Sequence, residues 1–441
     1  MRRTIAIAAI AAILFLGVFL VPNSPTVSGA PVLEAYMTGL DFPVALAFSP
    51  DGRIFFAEIF TGNIWVIENG LLLPDPLYTL PNTAAFGEMG LLGLALHPQF
   101  SSEPWIYAYQ TFNDTTSGTF YNRVVRIRAP GNIGVFHEVI LDQIPAATLH
   151  NGGIIGFGPD GKLYATTGDS TKNDVQAFTP QDLNSLAGKV LRMNPDGTVP
   201  ADNPFAGDPN ANPYIYTYGH RNPFGLTFHP ATGNPYITEN GPDCNDEVNL
   251  LVPGGNFGWG PSQTCDTSVL PYPQNTNQDG PIPILPIAWY TPVTAPVNAA
   301  VYIGTKFSAW RGDLIMGEFN TASLRRLDLE PPNYDAVVGE EVILTVPEPI
   351  LDVESAPDGA IWFTTPTTIY RFFESAQPPK ASFTATPARV GPGVPAVFDA
   401  SASVDPDGTI VSYSWTFGDG AVGSGAVTTH AYSASGTYPV T

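Results

Sequence analysis

The stretch "FGPDGKLYATTGD" (residues 157–169) contains the pattern that decides the fold. An apolar residue precedes Pro159, Asp160 and Gly161, and a run with alternating apolar, β-branched and aromatic residues follows. Proline and glycine set the backbone dihedral angles of a tight turn, and strict alternation is typical of a half-buried strand. The stretch therefore predicts two short strands joined by a tight turn.

The same pattern occurs five more times, as "FSPDGRIFFAE" (48–58), "LHPQFSSEPWIYAY" (96–109), "FHPATGNPYITEN" (228–240), "FSAWRGDLIMGEF" (307–319) and "SAPDGAIWFTT" (355–365). Six units at irregular spacings of roughly 50 to 80 residues predict an all-β, six-bladed β-propeller. A stack of β-sandwiches is the alternative, but it would not begin each unit with the same turn. The variable spacing is typical of long loops on one face, where functional sites are built.

The two ends of this region predict ring closure. The segments "VLEAYMTG" (32–39) and "TIYRFF" (368–373) both alternate, and we expect them to share one blade of a propeller that spans residues 31–375. A linker over 376–380 follows. Residues 381–441, with "DPDGTIVSYSWTFGDG" and "HAYSASGTYPVT", resemble a PKD domain, a small immunoglobulin-like sandwich. The resemblance implies that Trp415 is its core aromatic residue and that the domain is incomplete at its C-terminus.

The composition excludes one class of partner. The chain has 18 basic and 40 acidic residues and a net charge of -22, so no positive surface is available for nucleic acid. Acidity is compatible with a secreted protein or with divalent cations. A solvated acidic surface is the simpler interpretation.

The N-terminus predicts export. Arg2 and Arg3 precede an apolar run from Ile5 to Val21, and small residues follow, as in a signal peptide over residues 1–30. The protein would then be secreted or extracytoplasmic. The alternative is a retained membrane tether, although 17 apolar residues are at the short end of what spans a bilayer. In an oxidising compartment, Cys244 and Cys265 would form a disulfide rather than two free thiols.

Four stretches place polar groups where strands meet loops. They are "FGEMGLLGLALHP" (86–98), "TLHNGGIIGFGPDG" (148–161), "GHRNPFGL" (219–226) and "TENGPDCNDEVNLLVPGGNFGWG" (238–260). In combination and order they resemble the glucose/sorbosone dehydrogenase family of soluble six-bladed propellers, over residues 33 to 373. The resemblance implies an enzyme that oxidises aldose sugars with pyrroloquinoline quinone (PQQ) and calcium, and that passes electrons to an external acceptor.

His150 is the candidate catalytic base. Oxidation of an aldose at its anomeric carbon removes the hydroxyl proton while hydride leaves the carbon, and a neutral imidazole suits the proton step near pH 7. His150 aligns with the base of the family, and we expect Gly152 and Gly153 to let the backbone approach a ligand. The alternative is a loop histidine that is hydrogen-bonded to a carbonyl.

Arg221 and Asn222 are candidate cofactor contacts. A guanidinium at Arg221 would stabilise negative charge on the reduced quinone, and the Asn222 amide would bind the same ring. The alternative is a structural arginine that pairs with an acid such as Glu239.

The segment "NGPDCNDEVN" (240–249) is a candidate calcium loop, because calcium prefers carboxylate and carbonyl oxygens. The resemblance implies one calcium ion at the carbonyls of Gly241 and Pro242, and a structural calcium pair at Glu247 and the carbonyl of Phe257. Asp246 is a further candidate ligand. The alternative is an acidic surface turn.

The chain departs from the family pattern at several cofactor contacts. Glu88 stands where a glutamine is expected, Asn320 where a lysine is expected, and Pro349 and Leu351 where arginines are expected. Glu88 and Asn320 remain candidate cofactor contacts. Because PQQ carries three carboxylates, these changes leave two alternatives open. One is a calcium-stabilised propeller without quinone that acts as a surface carbohydrate-binding or adhesion module, and the other is a calcium-dependent lactone hydrolase.

Overall fold

The computed structural model describes residues 29–171, 180–375, 378–405 and 408–441. The chain divides into two compact units, one of which is Pro31–Glu374 while the other contains Ser375–Thr441. Residues 1–28 of the predicted signal peptide lie outside the described residues, so its prediction is untested. Within the described ranges, no helix is long and apolar enough to cross a membrane.

Pro31–Glu374 forms six antiparallel sheets, which are the blades of the predicted propeller. Blade 1 contains β2 (Pro43–Phe48), β3 (Ile54–Glu58), β4 (Asn63–Glu68) and the short β5 (Leu71–Leu72) and β6 (Tyr78–Thr79). Blade 2 contains β7 (Leu91–Leu96), β8 (Trp105–Asp114), β9 (Thr119–Arg128) and β10 (Phe136–Pro145). Blade 3 contains β11 (Ile155–Phe157), β12 (Leu163–Thr167), β13 (Lys189–Met193) and β14 (Ile215–Tyr218).

The remaining blades are built in the same way. Blade 4 contains β15 (Pro223–Phe228), β16 (Pro235–Glu239), β17 (Asp246–Leu250) and β18 (Ala288–Tyr290). Blade 5 contains β19 (Pro296–Val301), β20 (Leu314–Glu318), β21 (Ser323–Leu329) and β22 (Val337–Thr345), with a single 3-10 turn at Ser308–Trp310. Blade 6 contains β23 (Asp352–Ser355), β24 (Ile361–Thr364), β25 (Thr368–Glu374) and the N-terminal β1 (Pro31–Thr38).

The blades close into a ring. The first strands β2, β7, β11, β15, β19 and β23 each contact the next, and β23 contacts β2. As predicted, the two ends of the region share a blade, because β1 pairs antiparallel with β25 from Pro31↔Glu374 to Thr38↔Thr368. Apolar side chains fill the space between neighbouring sheets, as where Phe55 and Val66 pack with Leu91 and Ala108. Each such side chain contributes about 1.5–3 kcal/mol on burial.

The repeated turn has a common structure. Each of the six stretches leads from the first strand of a blade to its second strand. In three of these turns an aspartate carboxylate accepts a hydrogen bond from the main-chain N–H two residues later, at Asp51, Asp160 and Asp358. In two others the acceptor is the Nδ1 atom of the histidine before the proline, at His97 and His229. Five of the six turns therefore use a short-range side-chain acceptor, and both residue types supply one.

The second unit is a small β-sandwich. Its strands are β26 (Thr384–Thr386), β27 (Pro395–Asp399), β28 (Ser414–Thr416), β29 (Val422–Ser424) and β30 (Val427–Ala431). Trp415 is buried with Phe398 and Phe417, as expected for the core aromatic residue of a PKD domain.

Candidate active site

A cavity of about 530 Å³ lies where loops enter the first strands of the blades. It collects nearly all the predicted catalytic, cofactor and calcium residues, namely Glu88, His150, Arg221, Asn222, Gly241, Pro242, Asp246 and Asn320, together with Leu351. Glu247 and Phe257 line a smaller adjoining cavity of about 10 Å³. Arg221, Asn240, Gly241 and Pro242 line both cavities. Residues from six separate segments therefore meet at one end of the ring.

His150 is oriented by Asp169, a residue that the sequence patterns did not identify. The Nδ1 atom of His150 lies 2.8 Å from Oδ1 of Asp169, which is almost fully buried. Asp169 also accepts hydrogen bonds from Thr171 Oγ1 at 2.7 Å and from Trp259 Nε1 at 2.9 Å. A carboxylate only accepts, so the proton of the neutral ring lies on Nδ1 and the lone pair lies on Nε2. His150 has the tautomer that a general base requires.

The backbone around His150 explains the glycines of this segment. His150 has a φ of 58°, and a Cβ on Gly168 would lie 2.1 Å from its carbonyl oxygen. The expectation that Gly152 and Gly153 admit a ligand is wrong. A Cβ on Gly152 would meet the main chain of Thr166–Gly168, and one on Gly153 would meet Leu92 and Tyr109. These glycines allow close packing of protein on protein.

Of three consecutive residues, His220 lies in the interior, whereas Arg221 and Asn222 line the cavity. His220 is fully buried, stacks on Phe257 with ring centroids 4.6 Å apart, and shares hydrogen bonds with Thr217 and with Glu239 at 2.9 Å each. The remaining oxygen of Glu239 accepts from the main-chain N–H of Arg221. Glu239 therefore pairs with the His220 imidazole and with the backbone. The structural alternative for Arg221 required Glu239 to pair with the guanidinium, and it does not.

The Arg221 guanidinium faces the cavity. Its Nη1 donates to the carbonyl of Asn240 at 2.8 Å, and the group lies 5.4 Å from the ring centroid of Trp259. Burial lowers the pKa of Arg221, and four nearby carboxylates act in the opposite direction, those of Asp169, Glu88, Glu239 and Asp246. None of these carboxylates forms an ion pair within 4.0 Å of the guanidinium. Arg221 therefore keeps donors available for an anionic ligand.

Asn222 and Glu88 are hydrogen-bonded to each other. Glu88 Oε2 accepts from Asn222 Nδ2 at 3.2 Å and from the main-chain N–H of His150 at 2.6 Å. The side-chain oxygen Oδ1 of Asn222 accepts from the main-chain N–H of Gly152 at 3.1 Å. Glu88 thus connects Asn222 to the backbone of the candidate base. Asn222 also lines the cavity, and its Nδ2 has a second N–H besides the one given to Glu88, so the expected contact with a cofactor ring stays a prediction.

The predicted calcium loop is braced from within. Asp246 accepts hydrogen bonds from the main-chain N–H groups of Gly241, Thr294 and Ala295 at 2.6–2.8 Å. A Cβ on Gly241 would lie 2.1 Å from the carbonyl oxygen of Cys244, so only glycine permits this loop. Cys244 and Cys265 form the expected disulfide. Gly241 and Pro242 of this loop line both cavities, as we would expect of main-chain ligands for a cation.

Glu247 is a buried carboxylate of the predicted calcium loop. Burial together with the charge of Glu239 raises the pKa of Glu247 to about 8. Asn249 and Asn277 donate to its Oε2 at 3.0 and 3.2 Å, and Asn277 also donates to the carbonyl of Phe257 at 2.9 Å. Across the described ranges, no three His, Cys, Asp or Glu side chains converge as a metal site. A cation here would depend on carbonyl and amide oxygens besides Glu239 and Glu247.

The opposite half of the large cavity is apolar, which the sequence patterns did not reveal. Blades 5, 6 and 1 contribute Val293, Ala295, Val297, Phe319, Leu351, Phe42, Val44, Ile59 and Phe60. Phe42 and Phe60 meet edge to face with centroids 5.3 Å apart, and both are partly exposed at the mouth. Of the described residues in this lining, Arg221 is the single cation. Asn320 and Leu351 therefore lie in an apolar surrounding, as their departure from the family pattern suggested.

Comparison with known proteins agrees with this geometry. Residues 40–371 match the family model described as glucose/sorbosone dehydrogenase, and residues 376–441 match a PKD domain. The solved structure of an oxidoreductase described as a glucose dehydrogenase, from Thermus thermophilus, is 38% identical, with a TM-score of 0.67 over 78% of this chain and all of that one. The aldose sugar dehydrogenase YliI of Escherichia coli is 29% identical over 76% of this chain and 89% of its own length. The PQQ-bound aldose sugar dehydrogenase of Streptomyces coelicolor is 27% identical, with a TM-score of 0.63 over 78% of this chain and 98% of that one.

Proposed function

Because the chain belongs to the glucose/sorbosone dehydrogenase family, we propose that it is an exported quinoprotein oxidoreductase that oxidises aldose sugars at the anomeric carbon with PQQ. The observation that carries the proposal is the His150–Asp169 pair at the cavity that also holds Arg221. Nε2 of His150 would take the proton of the anomeric hydroxyl, while Asp169 stabilises the imidazolium that forms. When bound, PQQ would accept the hydride, and an external acceptor would then take the two electrons.

The residues present are compatible with this cofactor at its quinone end. Arg221 has no ion-pair partner among the described side chains, so its guanidinium is available to an electron-rich quinone oxygen. The apolar half of the cavity, with Phe42, Phe60 and Leu351, suits the faces of a planar ring. Fewer cations are available to the carboxylates of PQQ than in the family pattern. Each charge-assisted hydrogen bond contributes about 1.5–3 kcal/mol. We therefore expect PQQ to bind more weakly than it would with three such contacts.

Calcium would supply part of the missing positive charge. The carbonyls of Gly241 and Pro242 would hold one ion against the cofactor, and the small cavity beside Glu239 and Glu247 would hold another. The raised pKa of Glu247 supports this assignment, because a divalent cation would offset the repulsion between the two buried carboxylates.

Export and attachment complete the proposal. Residues 1–30 would direct the chain across a membrane, after which they are removed or kept as a tether. The PKD domain would associate the enzyme with a cell surface or a carbohydrate. Cell fractionation with detection of the mature N-terminus distinguishes a released protein from a tethered one.

The decisive experiment is calorimetric titration of PQQ into the mature chain with calcium, and again with a chelator. We expect calcium-dependent binding, and a holoprotein that reduces an artificial electron acceptor when given sugar. His150→Ala should bind PQQ but not turn over. Absence of both PQQ binding and turnover would overturn the proposal.

The second candidate function is a calcium-stabilised propeller without quinone that binds carbohydrate at a surface. The apolar half of the cavity favours it, because Asn320 and Leu351 offer no charge to a tricarboxylate. It predicts that calcium raises the melting temperature while PQQ has no effect. Sugar binding would then occur without oxidation.

A further inference from the structure

Glu88 places a carboxylate in the cavity whose hydrogen-bond donors are all neutral. Its Oε2 accepts from the main-chain N–H of His150 at 2.6 Å and from Asn222 Nδ2 at 3.2 Å. Oε1 has no hydrogen-bond donor among the described residues, and no described cation lies within 4.0 Å of the carboxylate. Glu88 is therefore a charged acceptor with one oxygen left for a ligand.

The charges around Glu88 favour a cation. Arg221 is surrounded by four carboxylates, those of Glu88, Asp169, Glu239 and Asp246. Three of them are saturated within the protein, because Asp169 is held by Trp259 and His150, Glu239 by His220, and Asp246 by three main-chain N–H groups. Glu88 is the member of this group with a free oxygen on the cavity. A single guanidinium does not neutralise four carboxylates, and the calcium ions proposed above would lie at Gly241 and Pro242 and beside Glu239 and Glu247. Glu88 is therefore the carboxylate left to attract a positively charged ligand group.

The position of Glu88 determines which part of a bound substrate would contact it. Its carboxylate accepts a hydrogen bond from the main-chain N–H of His150, and the ring of His150 lines the same cavity. If the anomeric carbon reacts at His150, as the proposed function requires, the nearest exocyclic substituent besides the reacting hydroxyl is the one on the neighbouring C2 atom. An ammonium group there would form an ion pair with the carboxylate as well as a hydrogen bond to Oε1, whereas a neutral hydroxyl would form the hydrogen bond alone.

We propose, on the basis of the proposed function, that Glu88 is a specificity-determining residue and that the preferred substrates are 2-amino-2-deoxy aldoses. The carboxylate binds the C2 ammonium group, and the hydroxyl proton and the hydride leave as in any aldose. A neutral C2 hydroxyl is accepted less well, and an N-acetylated C2 amine is disfavoured because it lacks the charge.

The test compares D-glucosamine, D-glucose and N-acetyl-D-glucosamine with the PQQ- and calcium-loaded chain, in the wild type and in Glu88→Gln. Glutamine keeps an oxygen acceptor for the N–H of His150 while it removes the charge. We expect kcat/KM for glucosamine to exceed that for glucose, and this ratio to fall at least about tenfold in Glu88→Gln, the loss of about 1.4 kcal/mol. Glu103→Gln is the matched control, because Glu103 lies in an exposed ion pair with Arg128 outside the cavity.

Two outcomes separate this inference from the proposed function. If glucose is oxidised as efficiently as glucosamine by the wild type, the inference is overturned and the dehydrogenase stands. If no sugar is oxidised, calorimetric titration of glucosamine and of glucose decides. Tighter binding of glucosamine that weakens in Glu88→Gln supports the role of Glu88, and equal binding overturns it. The wild-type comparison with N-acetyl-D-glucosamine needs no variant, so poor folding of Glu88→Gln cannot obscure the result.

Discussion

Asp169 fixes the chemical state of His150, and this is a property of one residue. Its carboxylate accepts three hydrogen bonds, so it holds the imidazole with Nε2 on the cavity. In Asp169→Asn, the amide would offer a hydrogen-bond donor to the ring and would favour the opposite tautomer. We expect kcat to fall by about 10²–10⁴-fold, with a smaller change in KM.

Measurement of the pH–rate profile checks this role. The acidic limb, where activity is lost as the base is protonated, should shift in Asp169→Asn, since the imidazolium loses its counter-charge. A purely structural role would lower activity at every pH alike. Asp208→Asn is the control, because among the described residues the Asp208 carboxylate accepts only from Asn210 in an exposed turn. An unchanged profile with full activity would remove Asp169 from the mechanism.

The calcium assignment at Glu247 gives a second prediction at this scale. Burial and the charge of Glu239 raise the pKa of Glu247 to about 8, so the native state holds this proton more tightly than the unfolded chain. The contribution of Glu247 to the stability of the metal-free protein should therefore be complete below about pH 4.5 and should be lost as pH rises through about 8. Calcium should restore the free energy of unfolding by about 2.7 kcal/mol when its concentration is 100 times its dissociation constant.

Thermal unfolding of wild type and Glu247→Gln, with calcium and with a chelator, measures the effect. Glutamine can still accept from Asn249 and Asn277, so the variant should fold. We expect the variant to lose the calcium-dependent rise and to exceed metal-free wild type in stability above pH 8. A full calcium response in the variant would place the cation elsewhere.

Sequence patterns predicted candidate site residues that stand in unusual surroundings. His150, Arg221 and Asn222 were predicted because their stretches place polar groups where strands meet loops and resemble those of the family. Asp169 was missed because it lies 19 residues from its partner, a separation that only the fold brings together. Phe42 and Phe60 were missed because the sequence does not distinguish an aromatic residue that lines a cavity from one that packs in the core.

At the scale of elements, the first strands of four blades are connected by a chain of hydrogen bonds inside the central channel. Leu226 N on β15 donates to Asn298 Oδ1 on β19, and Asn298 Nδ2 donates to Asp352 Oδ1 on β23 at 2.8 Å. Asp352 Oδ2 accepts from Leu46 N on β2 at 2.6 Å. A cavity of about 370 Å³ runs along these strands. Two side chains thus join blades 4, 5, 6 and 1.

Asp352 makes this junction sensitive to pH. Burial raises its pKa to about 6, and the pKa of neighbouring Glu354 is raised in the same direction by burial and by Asp352. Since the native state binds these protons more tightly, the contribution of Asp352 to stability should be complete below about pH 4 and should be lost as pH rises through about 6. A shift of about two units limits the contribution of Asp352 to about 3 kcal/mol.

Urea unfolding between pH 4 and pH 8 tests this expectation. Asp352→Asn should flatten the decrease, at a cost in stability at pH 4 because one amide cannot accept from both Leu46 and Asn298. Glu330→Gln, at an exposed position, should follow the wild type. A decrease that is unchanged in Asp352→Asn would assign it to other groups.

The turns between the first and second strands were predictable because their acceptor and glycine lie within a few residues of each other. The same pattern could not locate the fourth strands. The segments that connect β13 to β14 and β17 to β18 are long and irregular. Their course depends on tertiary contacts such as the disulfide and the hydrogen bonds of Asn277 to Glu247 and Phe257. Local chemistry determines the turns, and long-range packing determines the loops that carry the site.

At the scale of the whole molecule, the ring is held closed by the N-terminal strand. β1 covers the outer edge of β25, and its Tyr36 packs edge to face on Trp362 with centroids 4.5 Å apart. The first strand of blade 6 lines the channel and contacts β2 and β19. Loss of β1 would therefore expose the edge of a blade that also carries Asp352 and Leu351. An uncovered edge promotes pairing with other chains.

A chain that begins at residue 40 should have a destabilised propeller throughout, whereas a chain that begins at residue 31 should keep its stability. The shorter chain loses the hydrogen bonds of β1 to β25 and the cover over Trp362, so we expect a lower melting temperature and concentration-dependent association. Differential scanning calorimetry and light scattering on the two truncated proteins measure both effects. Because a closed ring transmits the loss to neighbouring blades, the unfolding of Pro31–Glu374 should remain a single transition at lower temperature. If only blade 6 melted early while the other five kept the original transition, closure by β1 would be a local feature and the blades would be independent.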